Sequence, residues 1–92
     1  MSKPHILIIE DEKLIRWSLR QRFSEEGYDV DEAERASEGL KKLAEGTFDL
    51  IMLDYKLPDM TGLQILRKIR EHDADVVVIM MTAYSSIENA VD

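Results

Sequence analysis

Three short, continuous apolar runs constrain this chain most: residues 5–9, 50–53 and 76–81. None is long enough for a helix, and none alternates with polar residues. Each reads as a strand buried on both faces, the pattern of a parallel sheet covered by helices.

Between the runs the spacing changes. Ile15, Leu19 and Phe23 recur every fourth residue. They predict a helix beginning near Glu12 or Lys13 that buries those three, with acids in its first turn favoured by the helix dipole. Gly27 suits its C-terminal cap. Residues 28–33 alternate apolar and polar, as a strand with one wetter face at a sheet edge would. Ser37 is expected to cap a short helix carrying Leu40, Leu43 and Ala44 and ended by Gly46. A helix over residues 62–72 is expected to bury Leu63, Leu66 and Ile69, with Ile65. Its cations Arg67, Lys68 and Arg70 fall in the half that the dipole favours. Ser85-Ser86-Ile87-Glu88 reads as a capping box opening one more helix. Met80 and Met81 read as core.

The order is therefore strand, helix, strand, helix, strand, helix, strand and the start of a helix. That order implies right-handed crossovers, a parallel sheet with helices on both faces, and one domain spanning residues 1–92. The chain has 92 residues and no cysteine, which excludes disulfides and thiolate metal sites. No apolar run approaches the roughly 20 residues of a membrane span, and the N-terminus lacks a signal-peptide pattern. A cytoplasmic location is expected. The formal net charge of −7 argues against direct nucleic-acid binding and suits a divalent cation or a basic partner.

In a parallel sheet all strand-to-helix loops emerge on one edge. Glu10 and Asp11 end the first apolar strand, Asp54 ends the third, and Thr82 ends the fourth. If the first and third strands are neighbours, three carboxylates converge. Without a cation they repel one another. An acidic trio can also be a solvated rim, but a hard divalent ion with oxygen ligands resolves the repulsion, and Mg²⁺ fits the donor set best. His5 and His72 read as structural rather than as ligands, and there is no zinc-type donor set. A metal beside one carboxylate suggests phosphoryl transfer onto Asp54, since aspartate forms acyl phosphates as a nucleophile. The hydroxyl of Thr82 can donate to a phosphoryl oxygen. Trp17 lies roughly opposite the stripe of its helix. It is either a surface aromatic lying along that helix or part of a contact surface.

Taken together, Ile-Leu-Ile-Ile-Glu10-Asp11-Glu12, Asp54-Tyr-Lys-Leu-Pro58-Asp-Met-Thr-Gly62 and Met81-Thr82-Ala83 resemble the receiver domain of a bacterial two-component response regulator, over essentially the whole chain. Ile15-Arg16-Trp17 and Met-Thr-Ala-Tyr further resemble receivers of activators that work with sigma-54 polymerase.

The resemblance implies a flavodoxin-like fold with strand order 2-1-3-4, the family's fifth strand and last helix being absent from this chain. It implies Asp54 as phosphoacceptor. It implies Mg²⁺ bound by Asp11 and Asp54, by Glu10 mainly through water, and by the backbone carbonyl of Lys56. Thr82 would contact the phosphoryl group, and Tyr84 would take part in switching or simply pack in its loop. The first helix, with Ile15 and Trp17, would dock a sensor histidine kinase. A downstream output domain, most simply for transcription, would read the switch. Glu10 stands where Asp is more usual, and the family's phosphoryl-pairing Lys has no counterpart here.

Two other functions compete. A Mg²⁺-dependent phosphatase or nuclease would want Asp-x-Asp, which neither Glu10-Asp11-Glu12 nor Asp54-Tyr-Lys supplies. A truncated or engineered fragment of the fold would expose the edge of its fourth strand, self-associate there and resist phosphorylation.

Overall fold

The computed structural model describes residues 3–81. Strand β1 (His5–Ile9) leads to helix α1 (Lys13–Glu25), strand β2 (Asp29–Ala33), helix α2 (Ala36–Glu45), strand β3 (Leu50–Asp54), helix α3 (Gly62–His72) and strand β4 (Val77–Met81). The strands form one sheet in the order β2-β1-β3-β4, every pairing parallel. This is the flavodoxin-like arrangement and order expected. The capping box at Ser85 lies outside the described residues.

The pleat divides the sheet into two unequal faces. Leu7, Ile9, Ile51 and Leu53 join Ala36, Leu43, Ile65 and Ile69 in one buried cluster, against which Val78 and Met80 also pack. This core lies between the sheet and the pair α2–α3. The alternate residues Ile6 and Ile8 are buried on the opposite face, where α1 packs on β1 and β2. Farther along that face, cover among the described residues runs out. Leu50 and Met52 are half-buried, and Val77 and Ile79 are exposed. Strand β3 is thus fully buried on one face only.

Unequal cover corrects the predicted stripes. No residue of α1 is buried, because among the described residues the helix packs chiefly on β1 and β2. Leu19 and Phe23 are half-buried, whereas Ile15 is 42 % exposed and Arg16 takes the inner position in its stead. Nor does the first turn of α1 carry an acid: Glu12 is the N-cap, so Glu10 and Asp11 stay in the loop. Gly27 follows the C-cap with φ +91°, a conformation that glycine adopts without strain. In α3 the buried residues are Gly62, Ile65 and Ile69, Leu66 is half-buried, and Leu63 is 60 % exposed. The helix is rotated so that Gly62 can approach Tyr55 and Met80. Its start is secured by a reciprocal capping box between Thr61 and Gln64.

Helix α2 departs from expectation at its start. Ser37 is not the cap; Arg35 holds that position and offers no side-chain bond. The N–H groups of Ala36 and Ser37 instead donate to the two carboxylate oxygens of Asp59, each at 3.0 Å. A cap supplied from the loop after β3 ties that loop to α2. Of the residues α2 was expected to carry, Leu43 is buried, Leu40 half-buried and Ala44 exposed, and Ala36 and Gly39 are buried as well. Gly39 lets the helix approach so closely that a Cβ there would meet Ile9 Cδ1 at 2.5 Å. His5 is structural, bonding Asp31 at 2.9 Å and packing at a tilt against Phe48.

Candidate functional site

Register brings the acids together. Ile9 pairs with Leu53, and Asp54 pairs with Met81. One residue past Ile9, Glu10 therefore stands level with Asp54. Asp11 follows in the loop before α1. One carboxylate oxygen from each of Glu10, Asp11 and Asp54 can be chosen so that all three lie within 4.8 Å of one another. Glu10 is buried, Asp54 half-buried and Asp11 exposed.

Few donors answer this charge. The Glu12 N–H donates to Glu10 Oε2 at 3.0 Å, and the Lys56 N–H donates to Asp54 Oδ1 at 3.3 Å. Burial chiefly pushes the Glu10 carboxyl up to about 7, against the Glu12 N–H, and the neighbouring Asp54 and Asp11 add to the rise. Burial also raises Asp54. The Lys56 N–H and Glu10 oppose that rise, and Asp11 reinforces it.

A hard divalent cation fits these residues. Ligands about 2.1 Å from Mg²⁺ are about 3.0 Å apart when adjacent and about 4.2 Å apart when opposite. Oxygens within 4.8 Å of one another fall in the range that direct ligation together with bridging by retained water spans. The donors are all oxygen, as Mg²⁺ prefers, and its charge would offset what burial and mutual repulsion cost the carboxylates.

The loop after Asp54 is closed on itself. Gly62 N–H donates to the Tyr55 carbonyl at 2.8 Å, Lys56 bridges to Thr61, and Leu57 and Met60 pack against the core. The Lys56 carbonyl thus belongs to a firmly held segment next to the trio. Thr82 and Tyr84 lie outside the described residues. Met81, just before Thr82, accepts from the Tyr55 N–H at 3.2 Å, so β4 reaches the same edge. Trp17 is 55 % exposed and Ile15 42 %, and they share α1 with Leu14, which is 73 % exposed.

Sequence reasoning missed three features here. Asp59 holds the loop to α2 and was legible only as an acid after Pro58. Thr61-x-x-Gln64 carries the capping-box spacing and was readable. Arg16 reaches the site's backbone, donating from Nη1 to the Glu10 carbonyl at 2.7 Å.

Among known proteins, residues 6–92 match the response regulator receiver domain family. The uncharacterized transcriptional regulatory protein YkoG of Bacillus subtilis is 43 % identical over 91 residues, covering 99 % of this chain and 40 % of that protein. The DNA-binding transcriptional regulator NtrC of Proteus hauseri is 35 % identical over 92 residues, covering 100 % of this chain and 20 % of that protein. The chain therefore spans well under half the length of these two relatives.

Among solved structures, a response regulator receiver domain protein from Methanospirillum hungatei superposes with a TM-score of 0.88 at 41 % identity, covering 98 % of this chain and 72 % of that one. Response regulator TrrA of Thermotoga maritima, solved in complex with Mg²⁺-BeF, gives a TM-score of 0.81 at 37 % identity, covering 90 % of this chain and 75 % of that one. TrrA was also solved in complex with the histidine kinase ThkA, with a TM-score of 0.82 at 41 % identity, covering 88 % and 70 %.

Proposed function

Because the chain belongs to the response regulator receiver domain family, we propose that it is the phosphoacceptor of a two-component signalling system, with Asp54 as the acceptor. The observation that carries this reading is the convergence of Glu10, Asp11 and Asp54 within 4.8 Å at the ends of β1 and β3. Glu10, Asp11, Asp54 and the Lys56 carbonyl would hold Mg²⁺. When bound, the ion would neutralise phosphoryl oxygens as charge redistributes in transfer.

The chain's own part is nucleophilic. An Asp54 oxygen attacks the phosphorus of a kinase phosphohistidine as the P–N bond breaks. The electron pair leaves with the imidazole, which takes a proton, and an acyl phosphate remains on Asp54. The closed loop after Asp54 and the Lys56 N–H orient the carboxylate. Thr82 donates its hydroxyl to a phosphoryl oxygen, and Tyr84 takes part in the switch. The domain is not a turnover enzyme; self-catalysed phosphotransfer and dephosphorylation are its only chemistry.

The Mg²⁺-BeF and kinase complexes of TrrA support the ion and the partner. The exposed Ile15 and Trp17 on α1 offer the kinase an apolar landing face. The named relatives, both transcriptional regulators, support a transcriptional output in a further domain, and with it a cytoplasmic location. No helix among the described residues is long and apolar enough to cross a membrane.

The partner reading extends to a second copy. Among the described residues β4 is an outer strand with Val77 and Ile79 exposed, and pairing along such an edge is favourable. Light scattering that finds only monomer at high concentration removes this extension.

For the central reading, the full-length gene product is incubated with Mg²⁺ and acetyl phosphate. One phosphoryl group is expected on the peptide containing Asp54, and Asp54→Asn abolishes it. A label that survives this substitution puts the acceptor elsewhere.

A further inference from the structure

Glu10 is held by its backbone as well as by its side chain. Its N–H donates to the Ala33 carbonyl at 3.0 Å, continuing the β1–β2 pairing by one bond beyond Ile9. Its carbonyl points past the end of the strand ladder, where α1 has not yet begun. There the donor to that carbonyl is a side chain: Arg16 Nη1 donates to it at 2.7 Å. Arg16 also pairs through Nε with Glu32 Oε1 on β2, at 3.3 Å. The Arg16 side chain is only 13 % exposed and that of Glu32 25 %, and Glu32 is held in turn by Arg20 at 2.6 Å. A guanidinium is permanently charged and carries its donors in a rigid plane, so it can brace two acceptors that an ammonium cannot brace in the same geometry. A charge-assisted bond to a carbonyl is also stronger than a neutral one.

We infer that Arg16 is a positioning residue of the acidic site: it braces the Glu10 backbone against Glu32 of β2, and so sets where the Glu10 carboxylate stands relative to Asp11 and Asp54. Arg16 touches none of the reacting atoms. It acts through Glu10, as residues behind a metal's direct ligands orient those ligands. The inference rests on the Mg²⁺ reading above. It adds that β2, at the far side of β1 from Asp54, contributes to ion binding through Glu32.

The test compares wild type with Arg16→Met, which keeps the length and apolar stem of the side chain, and with Glu32→Gln. Mg²⁺ affinity is measured by calorimetric titration, and amide exchange is followed without metal. Loss of a supporting contact of this kind lowers metal affinity by about 10- to 100-fold, and Arg16→Met is expected to fall in that range. Without metal, its Glu10 amide exchanges faster while the Leu7 and Ile8 amides keep their protection. Acetyl phosphate labelling of Asp54 recovers when Mg²⁺ is raised to saturation.

Glu32→Gln leaves the bond from Arg16 to the Glu10 carbonyl in place, so it is expected to weaken Mg²⁺ binding measurably, by a smaller factor than Arg16→Met. It carries the test if Arg16→Met does not fold, and wild-type affinity there then overturns the inference. Wild-type affinity in Arg16→Met overturns it too, as does lost protection along the whole of β1. A wild-type protein that binds no Mg²⁺ overturns the functional reading and this inference together. A wild type that binds beside an Arg16→Met that binds equally overturns the inference alone.

Discussion

Replacing Glu10 by Gln should stabilise the metal-free protein at alkaline pH. Glu10 is 4 % exposed, and its carboxyl is pushed from an ordinary 4.5 to about 7, chiefly by burial. The folded chain therefore holds this proton more tightly than the unfolded chain. The resulting stability is complete below pH 4.5, declines as the pH rises through 7, and is gone above it. A tenfold change in proton affinity is worth about 1.4 kcal/mol, so the rise of Glu10 from 4.5 to about 7 corresponds to roughly 3 kcal/mol.

Gln keeps an oxygen for the Glu12 N–H and carries no charge. Glu10→Gln should thus match wild type near pH 4.5. At pH 8 in a chelator it should exceed wild type by roughly 3 kcal/mol, or about 1–3 M in urea midpoint. Saturating Mg²⁺ should narrow or reverse the difference. Ion binding at 100 times its dissociation constant adds about 2.7 kcal/mol, and the variant has given up one of the residues that receives it. Urea titrations at the two pH values, with chelator and with Mg²⁺, make the comparison. Parallel pH dependence in the two proteins would refute the reasoning, because the strained charge would then lie elsewhere.

Two further substitutions probe how the scaffold holds the site. Gly39→Ala gains about 1 kcal/mol of helix propensity, but its Cβ meets Ile9 Cδ1 at 2.5 Å and Cγ1 at 2.8 Å. Overpacking costs about 1–3 kcal/mol, so thermal denaturation should show a lower midpoint; a higher midpoint contradicts the close approach. Asp59→Ala leaves the first N–H groups of α2 without their acceptor and should cost about 1 kcal/mol in urea titrations. Burial opposes ionisation of Asp59, but the N–H groups of Ser37 and Ala36 prevail and hold its carboxyl below the usual range. Its contribution is therefore present above about pH 4 and is lost as the pH falls through the lowered value, and Asp59→Ala should show no such loss.

That the acids stand at strand ends was legible because it follows from where apolar runs stop; the strand order that makes β1 and β3 neighbours came from the family resemblance. An uninterrupted run ends at Ile9 and another at Leu53, and the parallel register places what comes next side by side. Helix faces were less legible. Periodicity ranks the residues of a helix against one another, but which stripe is buried depends on what the helix meets. Among the described residues, helix α1 packs chiefly on β1 and β2 and turns Arg16 inward rather than Ile15. Helix α3 turns Gly62, Ile65 and Ile69 to the core and leaves Leu63 in water. Contacts distant in sequence were not legible at all. The α2 cap comes from Asp59, 23 residues beyond Ala36, and no local rule would have preferred it to Ser37. Arg16 reads locally as a surface cation; its role emerges only when Glu32 and the Glu10 carbonyl stand beside it.

The central claim is that one divalent ion sits among Glu10, Asp11 and Asp54. The most direct measurement is anomalous scattering from a crystal of the protein grown with Mn²⁺ in place of Mg²⁺. The account predicts a single strong peak in contact with carboxylate oxygens at the ends of β1 and β3, absent from Asp54→Ala crystals. A peak elsewhere, or none at those carboxylates with Mn²⁺ in excess, would contradict it.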